Sequence, residues 1–140
     1  MKNEFQQFTE VSEWDQIQQD LQEWFCITIA QMMSDHDREW SWVNAVILPS
    51  EGHKALNSKY LEHDYATDVL TFDMSEEGIV SGEVYVDAEV MDENAHRFSV
   101  TRAKEYQRMV VHGVLHLLGF DDATEEQRAH MVQLENKYLD

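Results

Sequence analysis

Two histidines one helical turn apart are the residues of this chain best spaced for chemistry. They lie in the run His112-Gly113-Val114-Leu115-His116-Leu117-Leu118-Gly119-Phe120-Asp121-Asp122. Side chains four apart on a helix project from one face, so His112 and His116 can grip one metal ion. Gly119 lets the chain reverse, and Asp122, six residues after His116, can fold back as a third ligand. Two imidazoles and a carboxylate are a normal set for a catalytic zinc, with the fourth position left to water. The alternative is that the pair is incidental. Against it, the pair lies among Val110, Val111, Val114, Leu115, Leu117 and Leu118. A histidine facing such an interior needs a polar partner or a metal, because an unpaired buried polar group costs about 1–3 kcal/mol. Gly113 costs a helix roughly 1 kcal/mol relative to Ala. Its lack of a side chain must therefore serve a close approach, by a neighbouring element or a substrate.

The elements around this run read clearly. Thr101 to Leu118 is a helix, and Gly119 stands where a left-handed residue ends one. Thr124-Glu125-Glu126-Gln127 is a capping box for a last helix to about Leu139, packed through Met131, Leu134 and Tyr138. Earlier, Glu13 to Met33 has apolar Trp14, Ile17, Leu21 and Trp24 at helical steps, with Gln18, Gln19 and Gln22 opposite. Ser34 to Asp37 ends that helix. Trp42 to Leu48 reads as a strand, and Ser50 can cap a short helix through Tyr60. Asp68 to Phe72 and Ile79 to Asp87 are further strands, with a hairpin turn at Ser75-Glu76-Glu77-Gly78. Asp87 to His96 is weakly helical. The expected fold is a small α+β (α/β-type) single domain over residues 1–140, with a three- to four-stranded sheet and about five helices.

Length and composition agree with that reading. A chain of 140 residues, 43% hydrophobic with one Pro and five Gly, suits one packed domain and excludes low-complexity classes. The net charge of -18 excludes nucleic-acid binding through overall charge, so an RNA role must rest on a local site. Cys26 is the only cysteine, so no intrachain disulfide can form. No signal peptide or membrane span is visible, and a cytoplasmic, soluble protein is expected.

The histidine spacing is also that of metzincin proteases, which need a Glu directly after the first His as base. Gly113 occupies that position, which counts against peptide hydrolysis. A closer match lies elsewhere. The run His112-Gly113-Val114-Leu115-His116-Leu117-Leu118-Gly119-Phe120-Asp121 resembles the signature of the YbeY family of bacterial endoribonucleases and rRNA maturation factors. Leu56-Asn57-Ser58-Lys59-Tyr60 and Thr67-Asp68-Val69-Leu70-Thr71-Phe72 are similar to two further segments of that family, in the same order. Gly82-Glu83-Val84 stands where the family has Gly-Asp-Ile. The match spans roughly Leu56 to Asp122. The resemblance implies a zinc ion held at positions 112, 116 and 122, with another divalent metal possible. It also implies metal-dependent cleavage of single-stranded RNA, 16S rRNA 3′-end maturation and ribosome quality control. The small ribosomal subunit or its proteins are then the expected partners.

Two positions depart from the family. Asp122 replaces its usual third His, which leaves the site one unit less positive and favours harder metals such as Mn²⁺. Asp121 is an alternative ligand, but the family spacing favours Asp122. Leu61 replaces an Arg suited to gripping phosphate. Arg97, Arg102, Lys104 and Arg108 are the candidate RNA-binding residues, a cationic strip leading to His112, with a solvated helix face as the alternative. Lys54, Lys59 and His63 are weaker candidates. Glu83 is the candidate catalytic side chain, as base for a water or partner to a ligand histidine, with a structural salt bridge as the alternative. His36 and His53 are read as turn residues, and His96 and His130 as surface residues. The rival functions are a non-catalytic, metal-stabilised ribosome-assembly factor, a metalloprotease, and a zinc-stabilised domain with an unrelated partner.

Overall fold

The computed structural model describes residues 2–60 and 69–139. Leu61, His63, Thr67 and Asp68 lie outside the described residues, as do the side chains of Lys59 and Tyr60. Four strands form one mixed sheet: β1 (Glu4–Thr9), β2 (Glu39–Leu48), β3 (Val69–Asp73) and β4 (Ile79–Asp87). The spatial order is β1-β2-β4-β3. β1 and β4 each run parallel to β2, and β3 pairs antiparallel with β4. The β3–β4 hairpin turns at Glu77 and Gly78, both with positive φ, as the twist of a tight hairpin demands. Five helices complete the fold: α1 (Asp15–Asp35), α2 (Ser50–Tyr60), α3 (Ala88–Arg97), α4 (Arg102–Leu117) and α5 (Glu125–Leu139).

α4 is the central element. Tyr106, Met109, Val110, Val111, Val114 and Leu115 are fully buried along it. A Cβ placed on Gly113 would lie 2.5 Å from Val84 Cγ1 on β4. The missing side chain therefore serves the approach of a neighbouring element. Gly82 faces the same helix, since a Cβ there would meet Leu117 Cδ2 at 2.5 Å. The alternation of a strand then puts Val84 and Gly82 on the α4 side and Glu83 on the other side.

Two sequence expectations are corrected here. β1 was not anticipated, because Glu4-Phe5-Gln6-Gln7-Phe8-Thr9 lacks an apolar alternation. Only Phe5 is buried in it, while Phe8 is 48% exposed. The buried face of α1 is also rotated from the expected one, and carries Gln18, Phe25, Thr28, Ile29, Met32 and Met33. Gln18 and Gln22 face inward because they serve β1. Gln18 Nε2 donates to the Phe8 carbonyl at 2.9 Å, and Gln22 Nε2 to the Phe5 carbonyl at 2.8 Å. The Tyr106 hydroxyl donates to Gln7 Oε1 at 2.8 Å, tying α4 to the same network. Ser50 begins α2 but gives its hydroxyl to Asp87 at 2.7 Å. Asp87 in turn caps α3 through the amides of Glu89 and Val90.

α5 is held to α1 by Tyr138, whose hydroxyl donates to Asp35 Oδ2 at 2.7 Å. That bond, helped by one from Gln31, lowers the Asp35 carboxyl from its ordinary value of 3.8. A group depressed in the folded state stabilises above its unfolded value and loses that contribution as pH falls through the folded one. Tyr138→Phe should thus lower the melting temperature at neutral pH, with a difference from wild type that shrinks in acid. Thermal unfolding at pH 7 and in acid checks this, and a difference that grows on acidification would contradict it.

Candidate metal centre

The last two turns of α4 and the loop leading into α5 hold the candidate site, and both flanking helix ends are capped. Gly119 adopts φ +99°. The Phe120 amide donates to the Leu115 carbonyl and the Gly119 amide to the His116 carbonyl, both at 3.0 Å. This is a Schellman ending, in which a left-handed glycine reverses the chain. Four residues on, Thr124 Oγ1 accepts from the Gln127 amide at 3.1 Å while Gln127 Oε1 accepts from the Thr124 amide at 3.1 Å. That reciprocal pair is the capping box. Between the two caps, Arg128 Nη1 holds the carbonyls of Asp122 and Ala123 at 3.4 and 3.1 Å. The loop is thereby fixed, and it returns the Asp122 side chain over the helix.

His112, His116 and Asp122 converge. His112 Nε2 and His116 Nε2 are 3.1 Å apart. Asp122 Oδ2 is 3.3 Å from the first and 3.5 Å from the second. Among the described residues this is the group of His, Cys, Asp and Glu side chains able to hold a metal ion. The donor set and its dimensions fit zinc. Bonds of about 2.0–2.1 Å in a tetrahedron separate ligand atoms by about 3.3–3.4 Å. The three side chains are 20%, 27% and 42% exposed, so the group is within reach of solvent.

The proton inventory supports the same reading. Glu135 Oε2 lies 2.8 Å from His112 Nδ1. A carboxylate only accepts, so Nδ1 donates, and the neutral ring turns the lone pair of Nε2 toward the triangle. With its proton on Nδ1, the His112 ring offers Nε2 as an acceptor beside the acceptor oxygens of Asp122, and a cation placed among them meets both.

The other expected residues are placed differently. Strand alternation places Glu83 on the sheet face away from α4, outside the triad. Three cations of the expected strip make contacts within the fold. Arg108 pairs with Glu105 at 2.6 Å and with Glu135 at 3.5 Å. Arg102 pairs with Asp92 at 2.7 Å, and Lys104 Nζ donates to the Leu139 carbonyl at 3.0 Å. Arg97 is exposed beside Phe98. Arg102, Lys104 and Arg108 thus tie elements of the fold together. His53 is 1% exposed within α2, with Nε2 3.2 Å from the Tyr85 carbonyl, so it is a core histidine and not a turn residue. Sequence reasoning missed Glu135 and Arg128. The signal for Glu135 was an acid four residues after Met131, on the buried face of α5.

Comparison with known proteins bears on this arrangement. The family model described as Endoribonuclease YbeY matches residues 2–140. A Chlorobaculum parvum protein named Endoribonuclease YbeY is 41% identical over 98 residues, covering 70% of this chain and 70% of its own. One of the same name from Chlorobium luteolum is 35% identical over 114 residues, covering 81% and 83%. The solution structure of TM1509 from Thermotoga maritima matches with a TM-score of 0.69 and 29% identity, over 97% of this chain and 87% of that one.

Proposed function

This chain belongs to the YbeY endoribonuclease family, and from that membership and the triad's geometry we propose that it is a metal-dependent endoribonuclease acting on single-stranded RNA. The observation that carries the proposal is the triangle of 3.1, 3.3 and 3.5 Å among His112, His116 and Asp122. These three residues hold one divalent ion, zinc by donor set and size, with manganese as the harder alternative that Asp122 admits. When bound there, such an ion would supply Lewis-acid chemistry toward a water and a phosphate. The protein's own groups fix the geometry around it. Glu135 orients His112, the Gly119 ending and the Thr124 cap hold Asp122, and Arg128 places an exposed guanidinium beside the ligand loop. Single strands suit an ion set against a helix face, since a flexible backbone can bring one phosphate to it.

The cellular role proposed is rRNA maturation at the 16S 3′ end and ribosome quality control, in the cytoplasm, with the small subunit or its proteins as partners. The net charge of -18 favours basic ribosomal proteins as the docking surface. No helix among the described residues is long and apolar enough to cross a membrane. A second reading, a non-catalytic assembly factor that keeps the metal as a staple, is favoured by one observation. Arg102, Lys104 and Arg108 are engaged within the protein. The protease reading has no such support, because Gly113 points into the core where a protease needs its acid.

Cleavage of a labelled single-stranded RNA by the purified protein tests the proposal. A chelator should abolish cleavage and zinc should restore it, with duplex RNA cut more slowly. Asp122→His should narrow the range of restoring metals, manganese losing most. Bound metal without cleavage would favour the assembly factor. Cleavage of casein but not RNA would revive the protease.

A further inference from the structure

A row of polar residues runs along α4, whose surroundings are otherwise apolar. Glu105, Arg108, His112 and His116 follow one another at steps of three, four and four. Glu105 is 2% exposed. α5 covers the row with Glu135, itself 5% exposed. The contacts form a chain. Asn94 Nδ2 donates to Glu105 Oε2 at 3.1 Å. Arg108 donates to both oxygens of Glu105, at 2.8 and 2.6 Å, and reaches Glu135 Oε1 at 3.5 Å. Glu135 Oε2 receives the proton of His112 Nδ1 at 2.8 Å.

Burying this cluster is expensive. Two carboxylates are taken from water against a single described guanidinium, and a buried ion pair seldom repays its desolvation unaided. A plain fold staple would be better served by apolar packing of equal volume. The excess charge has a use on the ligand side. Asp122 adds a further carboxylate on the ligand side, where negative charge suits a divalent ion. The outer oxygen of Glu135 is held by Arg108, so its inner oxygen stays aimed at His112. A carboxylate behind a ligating imidazole fixes its tautomer and raises its basicity.

We propose that Glu135 is a positioning residue for the metal centre, acting through His112, and that Arg108, braced by Glu105, holds Glu135 in place. The proposal rests on the reading of the triad as a metal site. It gives Arg108, one cation of the expected RNA-binding strip, a further task.

Zinc affinity measured by competition with a chromophoric chelator tests it, together with the ring-nitrogen NMR signals of His112 in the metal-free protein. In wild type the His112 ring should carry its proton on Nδ1. Glu135→Gln keeps the shape but can also present a donor to Nδ1. It should weaken zinc binding by about 10–100-fold and mix the two tautomers. Arg108→Met leaves the Glu135–His112 bond in place, and should weaken zinc binding by a smaller factor without unfolding α4. Should Glu135→Gln fail to fold, Arg108→Met decides alone. Wild type that binds no zinc overturns the metal-site reading itself. Wild type that binds zinc, with both variants within two-fold of it and the His112 tautomer unchanged, overturns the positioning role alone.

Discussion

Replacing His112 with alanine should empty the metal site and stop RNA cleavage. Loss of a single transition-state donor costs an enzyme roughly 10²–10³-fold. The expected loss here is larger, because two ligands cannot retain the ion and its whole contribution goes with it. The variant has a side effect that follows from the same geometry. Glu135 Oε2 loses the Nδ1 proton 2.8 Å away while remaining buried. An orphaned buried acceptor costs about 1–3 kcal/mol, so some stability falls too. His116→Ala separates the two effects, since it leaves the His112 Nδ1–Glu135 bond in place. It should lose metal and cleavage equally, with less loss of stability. Metal content, cleavage and thermal unfolding of both variants check the expectation. Cleavage that survives His112→Ala would identify a contaminating nuclease rather than this protein's activity.

The second large effect is expected at a residue that touches no ligand. In Gly113→Ala the new Cβ would lie 2.5 Å from Val84 Cγ1, 2.9 Å from Cγ2 and 3.2 Å from Cβ. Rotating Val84 cannot clear both methyl groups while its own Cβ stays so close. Either α4 or β4 must move. The helix gains about 1 kcal/mol from alanine, and overpacking costs typically about 1–3 kcal/mol. A net loss of stability results, and the helix segment that shifts carries His112 as its next residue. Metal geometry tolerates displacements of only about 0.5 Å, so zinc affinity and cleavage should fall with the melting temperature. Adding Val84→Ala removes both offending methyl groups, and the double variant should regain metal binding relative to Gly113→Ala. A single variant with unchanged zinc affinity and raised stability would mean that α4 does not depend on this contact.

The site was legible in the sequence where backbone chemistry is local. Gly119 and the Thr124–Gln127 box announce a helix end and a helix start, and they confine Asp122 between them. The spacing of His112 and His116 needs nothing beyond helical geometry. The puzzle of Gly113 was visible too, though not which element it admitted. What stayed hidden depended on partners distant in sequence. β1 carries no strand pattern, and it is held by α1 through Gln7 and through its own carbonyls, which turn Gln18 to the buried face of α1. Glu135 looked like one more acid among 28 acidic residues. Only the packing of α5 on α4 brings it to His112. For the same reason Arg108 read as a free cation: the carboxylate of Glu105 is three residues away, but that of Glu135 is 27. Glu83 was drawn toward the site by its place in a motif, and strand alternation turns it the other way.

The central claim is that two imidazoles and one carboxylate bind a single ion whose remaining coordination is open to solvent. X-ray diffraction at the zinc absorption edge, from crystals of the zinc-loaded protein, tests it most directly. One anomalous peak is expected, bonded at about 2.0–2.2 Å to Nε2 of His112, Nε2 of His116 and a carboxylate oxygen of Asp122, with no fourth protein ligand. A peak located elsewhere, or one closed off by a fourth side chain, would contradict it.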